Sequence, residues 1–129
     1  MVENIFIDGD KAMIARIKNL RLRTIIGIND WERNNKQDII LNIEYEFDAI
    51  RAIETDEIDN TVNYRSLTKR IIESVEESRF GLLEKLASHV LDIIMEDPRI
   101  NRAVVEIDKP QALRFSDSVS VTCGTERQQ

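Results

Sequence analysis

Ala103, Val105 and Ile107 alternate with Val104, Glu106 and Asp108, and the chain then continues Lys109-Pro110-Gln111. Such alternation marks a half-buried strand, so by phase Lys109 points inward with the apolar set. A lysine at the inner end of a strand loses part of its hydration, which suits it to moving protons near neutrality. The same residue also reads as an edge charge that discourages strand addition. Three more side chains could do chemistry beside it. Glu84 sits among Leu82, Leu83, Ala87 and Leu91, an apolar setting for a carboxylate, although an acid in the first turn of a helix is also favoured by the helix dipole. Glu32 lies in a long polar loop and Tyr64 ahead of a helix; a solvated acid and a capping or core aromatic are their plainer readings.

The elements that must position these residues follow from periodicity. Residues 13–26 read as a long first strand with Met13, Ala15 and Ile17 on one face. Leu20, Leu22 and Ile26 then take the opposite parity, so a bulge is expected near Lys18-Asn19. The loop 27–36, which holds Trp31 and Glu32, is too long for a tight turn, and loops of that kind often carry function. A second strand alternates through Ile39, Leu41, Ile43, Tyr45 and Phe47. Residues 48–61 read as an acidic connection containing a turn of helix. Leu67, Ile71 and Val75 give a helix over 65–78, and Leu83, Leu86, Ala87, Val90, Leu91 and Ile94 a second over 82–96, ending before Pro98. Strands at 102–109 and 115–123 complete the order strand, strand, helix, helix, strand, strand. That order predicts an α+β fold: a four-stranded antiparallel sheet with both helices on one face. Two open edges and outward residues such as Ile40 and Val104 predict association into a larger closed barrel, with a site at a subunit boundary.

At 129 residues the chain fits one domain. The expected divisions are a flexible leader at 1–11, a catalytic domain at 12–124 and a tail at 125–129. A net charge of −6 argues against general nucleic-acid binding, which depends on neutralising phosphates, while leaving room for a local basic cluster. No apolar run is long enough to span a membrane, so no membrane partner is expected. One cysteine, Cys123, excludes an internal disulfide and fits a reducing, cytoplasmic setting. With one histidine, His89, it cannot build a usual zinc site, and no metal is expected. None of the four glycines falls in a nucleotide-loop spacing.

Taken in order, Gly27 to Gln37 with Glu32 inside, Val62-Asn63-Tyr64, Leu82-Leu83-Glu84-Lys85-Leu86 and Asp108-Lys109-Pro110 resemble the dihydroneopterin aldolase family. The similarity covers about residues 13–123. Residues 17–24, Asn34 to Ile39, Asn63-Tyr64-Arg65, Arg79-Phe80, Ala112-Leu113-Arg114 and Asp117 to Ser120 are closest to its dihydroneopterin triphosphate 2'-epimerase branch. The resemblance implies the tunnelling fold, an octamer with sites between subunits, a small-molecule pterin as substrate and no cofactor. It implies that Glu84 holds the 2-amino group and ring NH of the pterin, with backbone near Leu83 reading the ring. Val62 and Gln37 join the binding site, and Tyr64 stacks on the pterin from the neighbouring subunit. Lys109 is the implied proton carrier, assisted by Glu32. Retro-aldol cleavage can use the dihydropterin as its electron sink, without a metal or a lysine Schiff base; re-addition to the other face of the aldehyde gives the 2'-epimer, whereas release gives the aldolase outcome. A triphosphate needs cations, and Arg21, Arg23, Arg65 and Arg114 are the candidates because a guanidinium grips phosphate as a fork.

Overall fold

The computed structural model describes residues 12–128. β1 (Ala12–Ile26) and β2 (Gln37–Asp48) form an antiparallel pair, and α1 (Asp30–Arg33) is a single turn in the connection between them. α2 (Ile50–Thr55) and a 3-10 turn (Ile58–Asn60) lead into α3 (Tyr64–Glu77). The two-residue β3 (Arg79–Phe80) precedes α4 (Leu83–Ile94), β4 (Ile100–Pro110) and β5 (Ser118–Glu126). Across the sheet the order is β3-β1-β2-β4-β5, and the four long strands are antiparallel as the sequence predicts. The short β3 corrects that expectation: it pairs with β1 in parallel, at Ile25 with Arg79 and Ile26 with Phe80, so the sheet is mixed and five-stranded. Two residues carry no periodic signal, and this pairing is held by tertiary contacts.

Alternation in β2 and β4 puts Ile39, Leu41, Ile43, Tyr45, Ala103, Val105 and Ile107 on the inner face, all buried. They pack in one core with Ile71 and Val75 of α3 and with Leu86, Val90 and Ile94 of α4. Each fully buried side chain of this size contributes roughly 1.5–3 kcal/mol through removal from water. The Asn63 side chain caps α3 by accepting from the N–H groups of Arg65 and Ser66. At the other end Thr24 Oγ1, buried in β1, donates to the Val75 carbonyl at 2.7 Å, which ties the last turn of α3 to the sheet.

The expected bulge is present. The β1–β2 register shifts between Ile17 and Leu20, and Asn19 adopts a left-handed φ of 54°, with its N–H donating to Asn42 Oδ1 at 2.9 Å. Asparagine tolerates that conformation better than most residues. The slip keeps Leu20 and Leu22 toward the core and leaves Arg21 and Arg23 on the outer face, in register with Ile40 and Asp38. At the far end of the chain, β5 starts three residues later than expected because the Gln111 N–H bonds to the Asp117 carbonyl and closes a turn. The expected tail from residue 125 begins inside β5, and Arg127 bonds to the carbonyls of Ile100, Met95 and Asp97. The expected leader lies outside the described residues.

Candidate active site

α1 exists to hold one carboxylate. It is only a turn long, and its buried residue is Glu32. Glu32 Oε1 accepts from the Asn29 N–H at 3.3 Å, the reciprocal half of a capping box. Oε2 accepts from Gln37 Nε2 at 3.0 Å and from Lys109 Nζ at 2.5 Å. Gln37 is itself fixed, since the same amide nitrogen donates to the Ile26 carbonyl at 2.7 Å. The side chains of both members of the ion pair are only 12% exposed. Lys109 does point inward, at the end of the inner row Ala103, Val105, Ile107.

Charge follows geometry here. The Lys109 ammonium, then the Gln37 amide and the Asn29 N–H, outweigh burial and hold the Glu32 carboxyl at about 2. It is therefore a carboxylate throughout the neutral range, set against an ammonium in a partly dry corner. A hydroxyl approaching the Nζ–Oε2 contact from the side meets a donor and an acceptor together, the arrangement needed to move its proton.

Sequence reasoning missed two supports of this corner. Gly27 has φ of 122°, and a β-carbon built on it would land on the Glu32 carboxylate, so a glycine is required on both counts. Arg33 donates to the carbonyls of Gly27 at 3.0 Å, Phe80 at 3.2 Å and Arg79 at 2.6 Å, stapling α1 and β3 together. A glycine opening a long loop was a visible signal for the first. The second depends on contacts 46 and 47 residues apart in sequence, which no local pattern reveals.

The other expected site residues lie elsewhere on the chain. Glu84 is exposed in the first turn of α4, so the apolar setting expected for it is not what one chain provides. It borders a groove of about 390 Å³ formed with Ala87, Leu91 and the stretch Val121 to Thr125 of β5. Leu83 is half-buried against the core. Val121 stands on the same face of β5 as Val119, the register partner of Lys109, about 7 Å along the strand. Val62 is buried in the core, which leaves its backbone rather than its side chain for binding. Tyr64 is 62% exposed and close enough to Tyr45 to contribute, after burial and Asp97, to raising that phenol. Tyr45 pairs with Ala103, six residues from Lys109 on β4, so Tyr64 and Lys109 of one chain lie toward opposite ends of the sheet, about 20 Å apart along the strand.

Among the candidate phosphate ligands, Arg23 pairs with Asp38 at 3.1 Å and Arg21 lines the neighbouring cavity. Arg65 lies beside Tyr64 on α3. Arg114 is exposed on the β4–β5 turn, its guanidinium 5.1 Å from the centre of the Phe115 ring. Among the described residues no group of three His, Cys, Asp or Glu side chains is placed to hold a metal ion, and no helix is long and apolar enough to cross a membrane.

Comparison with known proteins places this corner in context. The dihydroneopterin aldolase family profile matches residues 15–124. The chain is 52% identical over 116 residues to the dihydroneopterin triphosphate 2'-epimerase of Escherichia coli (strain K12), covering 90% of this chain and 97% of that protein. It is 49% identical over 112 residues to the protein of that name from Pseudomonas aeruginosa, covering 87% and 91%. Its fold superposes on the crystal structure of E. coli dihydroneopterin aldolase in complex with neopterin with a TM-score of 0.82 at 26% identity, over 88% of this chain and 98% of that one. Profile, relatives and fold agree, and the chain belongs to the dihydroneopterin aldolase family.

Proposed function

We infer that this chain inverts C2' of 7,8-dihydroneopterin triphosphate by retro-aldol cleavage and re-addition, forming dihydromonapterin triphosphate, with cleavage to 6-hydroxymethyl-7,8-dihydropterin as a secondary outcome. The observation that carries the reading is the Glu32–Lys109 pair, largely withdrawn from solvent, locked by Gln37 and seated against Gly27. Lys109 takes the 2'-hydroxyl proton as it passes one of its own to Glu32 Oε2, so the pair as a whole gains one proton. The C1'–C2' electrons flow into the imine system of the dihydropterin, leaving a bound aldehyde. If that aldehyde turns its other face before C1' attacks it, the carbon is inverted; if it leaves, C1' takes a proton and the outcome is that of an aldolase. The relatives at 49% and 52% identity, both named as the 2'-epimerase, favour the first. The family's own name, and a solved relative bound to neopterin, keep cleavage in folate synthesis as the second reading.

Glu84 suits the pterin's amino edge because a carboxylate presents two acceptors to two adjacent donors. Leu83, Val62 and Gln37 complete the binding set, and Tyr64 supplies a stacking face. The separation of Tyr64 from Lys109 within one chain supports a site shared between copies, hence a homo-oligomer, with eight subunits as the family resemblance implies. Arg21, Arg23, Arg65 and Arg114 are the candidate triphosphate ligands. A single cysteine and a pterin substrate fit a cytoplasmic enzyme.

The test is product analysis on paired substrates. Dihydroneopterin and its triphosphate are incubated with the purified protein, and the 2'-epimer is resolved from 6-hydroxymethyl-7,8-dihydropterin. Epimer as the main product from the triphosphate supports the reading. Hydroxymethyl product alone from both substrates assigns the aldolase.

A further inference from the structure

A cation-bearing pocket opens directly beside the ion pair. Arg23, Trp31, Lys36, Gln37 and Asp38, with Pro110 and Gln111 from the end of β4, enclose about 400 Å³, a volume suited to a small ligand. It adjoins the proposed catalytic corner through two residues. Gln37 lines this pocket while its amide bonds Glu32, and Pro110 follows Lys109 in the chain.

The pocket is poised for an anion although the chain carries a net charge of −6. The Lys36 ammonium has no partner among the described residues. Arg23 is steered by a bond from Nη2 to the Lys36 carbonyl at 3.1 Å, and among the described residues its acidic partner is Asp38. The side chains of that pair are 65% and 74% exposed, so the pair contributes little and its guanidinium is free to turn to a multivalent anion. Two cations against one carboxylate leave the pocket locally positive.

We propose that Lys36 and Arg23 hold the polyphosphate of the substrate here and thereby retain the cleaved aldehyde until it re-adds; this rests on the retro-aldol reading above. When the C1'–C2' bond breaks, its electron pair passes into the pterin imine and the 2'-hydroxyl proton passes to the Glu32–Lys109 pair. The terminal phosphates stay with the aldehyde half. Anchored by its phosphates, that half can rotate its carbonyl without leaving. The electron pair then returns to form the new C1'–C2' bond, and the carbonyl oxygen recovers its proton. An unphosphorylated aldehyde has no such anchor and escapes, so the pocket sets the ratio of epimer to cleavage product.

Trp31, the single tryptophan of the chain, stands on the pocket wall and reports occupancy by its fluorescence. Inorganic tripolyphosphate is titrated into the wild-type protein, Lys36→Ala, and Arg51→Ala, which removes a cation from α2 near the opposite end of β2. A saturable change in the wild type, weakened about tenfold or more in Lys36→Ala but not in Arg51→Ala, is the expected result for loss of one charge-assisted contact. With the triphosphate pterin, Lys36→Ala is expected to release more hydroxymethyl product per epimer formed. An unresponsive Trp31, or wild-type affinity and product ratio in Lys36→Ala, overturns the proposal. If the wild type turns over neither pterin yet Trp31 responds through Lys36, the catalytic reading falls and with it the partition, while the polyphosphate site is upheld.

Discussion

The corner around Glu32 and Lys109 and the surfaces around Tyr64 and Glu84 are built on opposite principles. In the corner the carboxylate is already partnered within one chain: Glu32 by Lys109, Gln37 and Asn29, and the Gln37 amide nitrogen by the Ile26 carbonyl as well. Tyr64 and Glu84 stand exposed on two different helices. The residues proposed to move protons are thus preorganised before any association, whereas Tyr64 and Glu84, proposed to grip the pterin, are not. Preorganised electrostatics cost no rearrangement at the moment of reaction. The gripping surface, by contrast, can be completed by a second copy, which couples activity to assembly.

The comparison breaks first at Lys109. Lys109→Ala should lower turnover of either pterin by about 10³-fold, the range for loss of a positioned acid or base, with an unchanged far-ultraviolet circular dichroism spectrum. Next comes Gly27→Ala, which forces a side chain onto the Glu32 carboxylate at a φ that L residues avoid. A displacement of about 1 Å in a catalytic group can cost about 10²-fold, and kcat rather than KM should carry it.

The open surface gives a smaller effect with a distinctive rescue. Tyr64→Ala should raise KM for the pterin about tenfold, consistent with loss of an aromatic contact. Co-refolding Tyr64→Ala with Lys109→Ala should then restore about one quarter of wild-type sites if each site draws the two residues from different copies of a symmetric assembly. No recovery in verified hybrids would place both residues in one chain's site.

The smallest expected effect is on stability against pH. Glu32 titrates at about 2 in the folded chain and at its ordinary 4.5 when unfolded. Its folded pKa is depressed, so its contribution is present above 4.5 and is lost as pH falls through about 2. Denaturant midpoints measured from pH 5 to pH 2 should fall less steeply in Glu32→Gln than in the wild type.

The same contrast explains what the sequence made legible. β2, α3, α4 and the bulge at Asn19 could be read because burial imposes a period on many consecutive residues. α1 and β3 could not, since four and two residues are too few for a period and their position depends on Arg33 reaching the carbonyls of Gly27, Arg79 and Phe80. Lys109 was visible from strand phase, but its pairing with Glu32, 77 residues away, was not. Glu84 misled on its own: Ala87 and Leu91 are buried, but Leu82 is exposed and so is the carboxylate itself. Only the family resemblance pointed to Gln37, and the structure adds a physical reason for it, as the clamp on Glu32.

The most direct test of a shared retro-aldol step is the fate of solvent hydrogen. With the triphosphate pterin in heavy water, cleavage and re-addition leave the original hydrogen on C2' of the epimer, while the hydroxymethyl product acquires deuterium at the carbon where the bond broke. That labelling pattern, read by NMR or mass spectrometry, is the predicted result. Deuterium at C2' of the epimer would contradict it, because inversion would then proceed by removal of the C2' proton with the carbon skeleton intact.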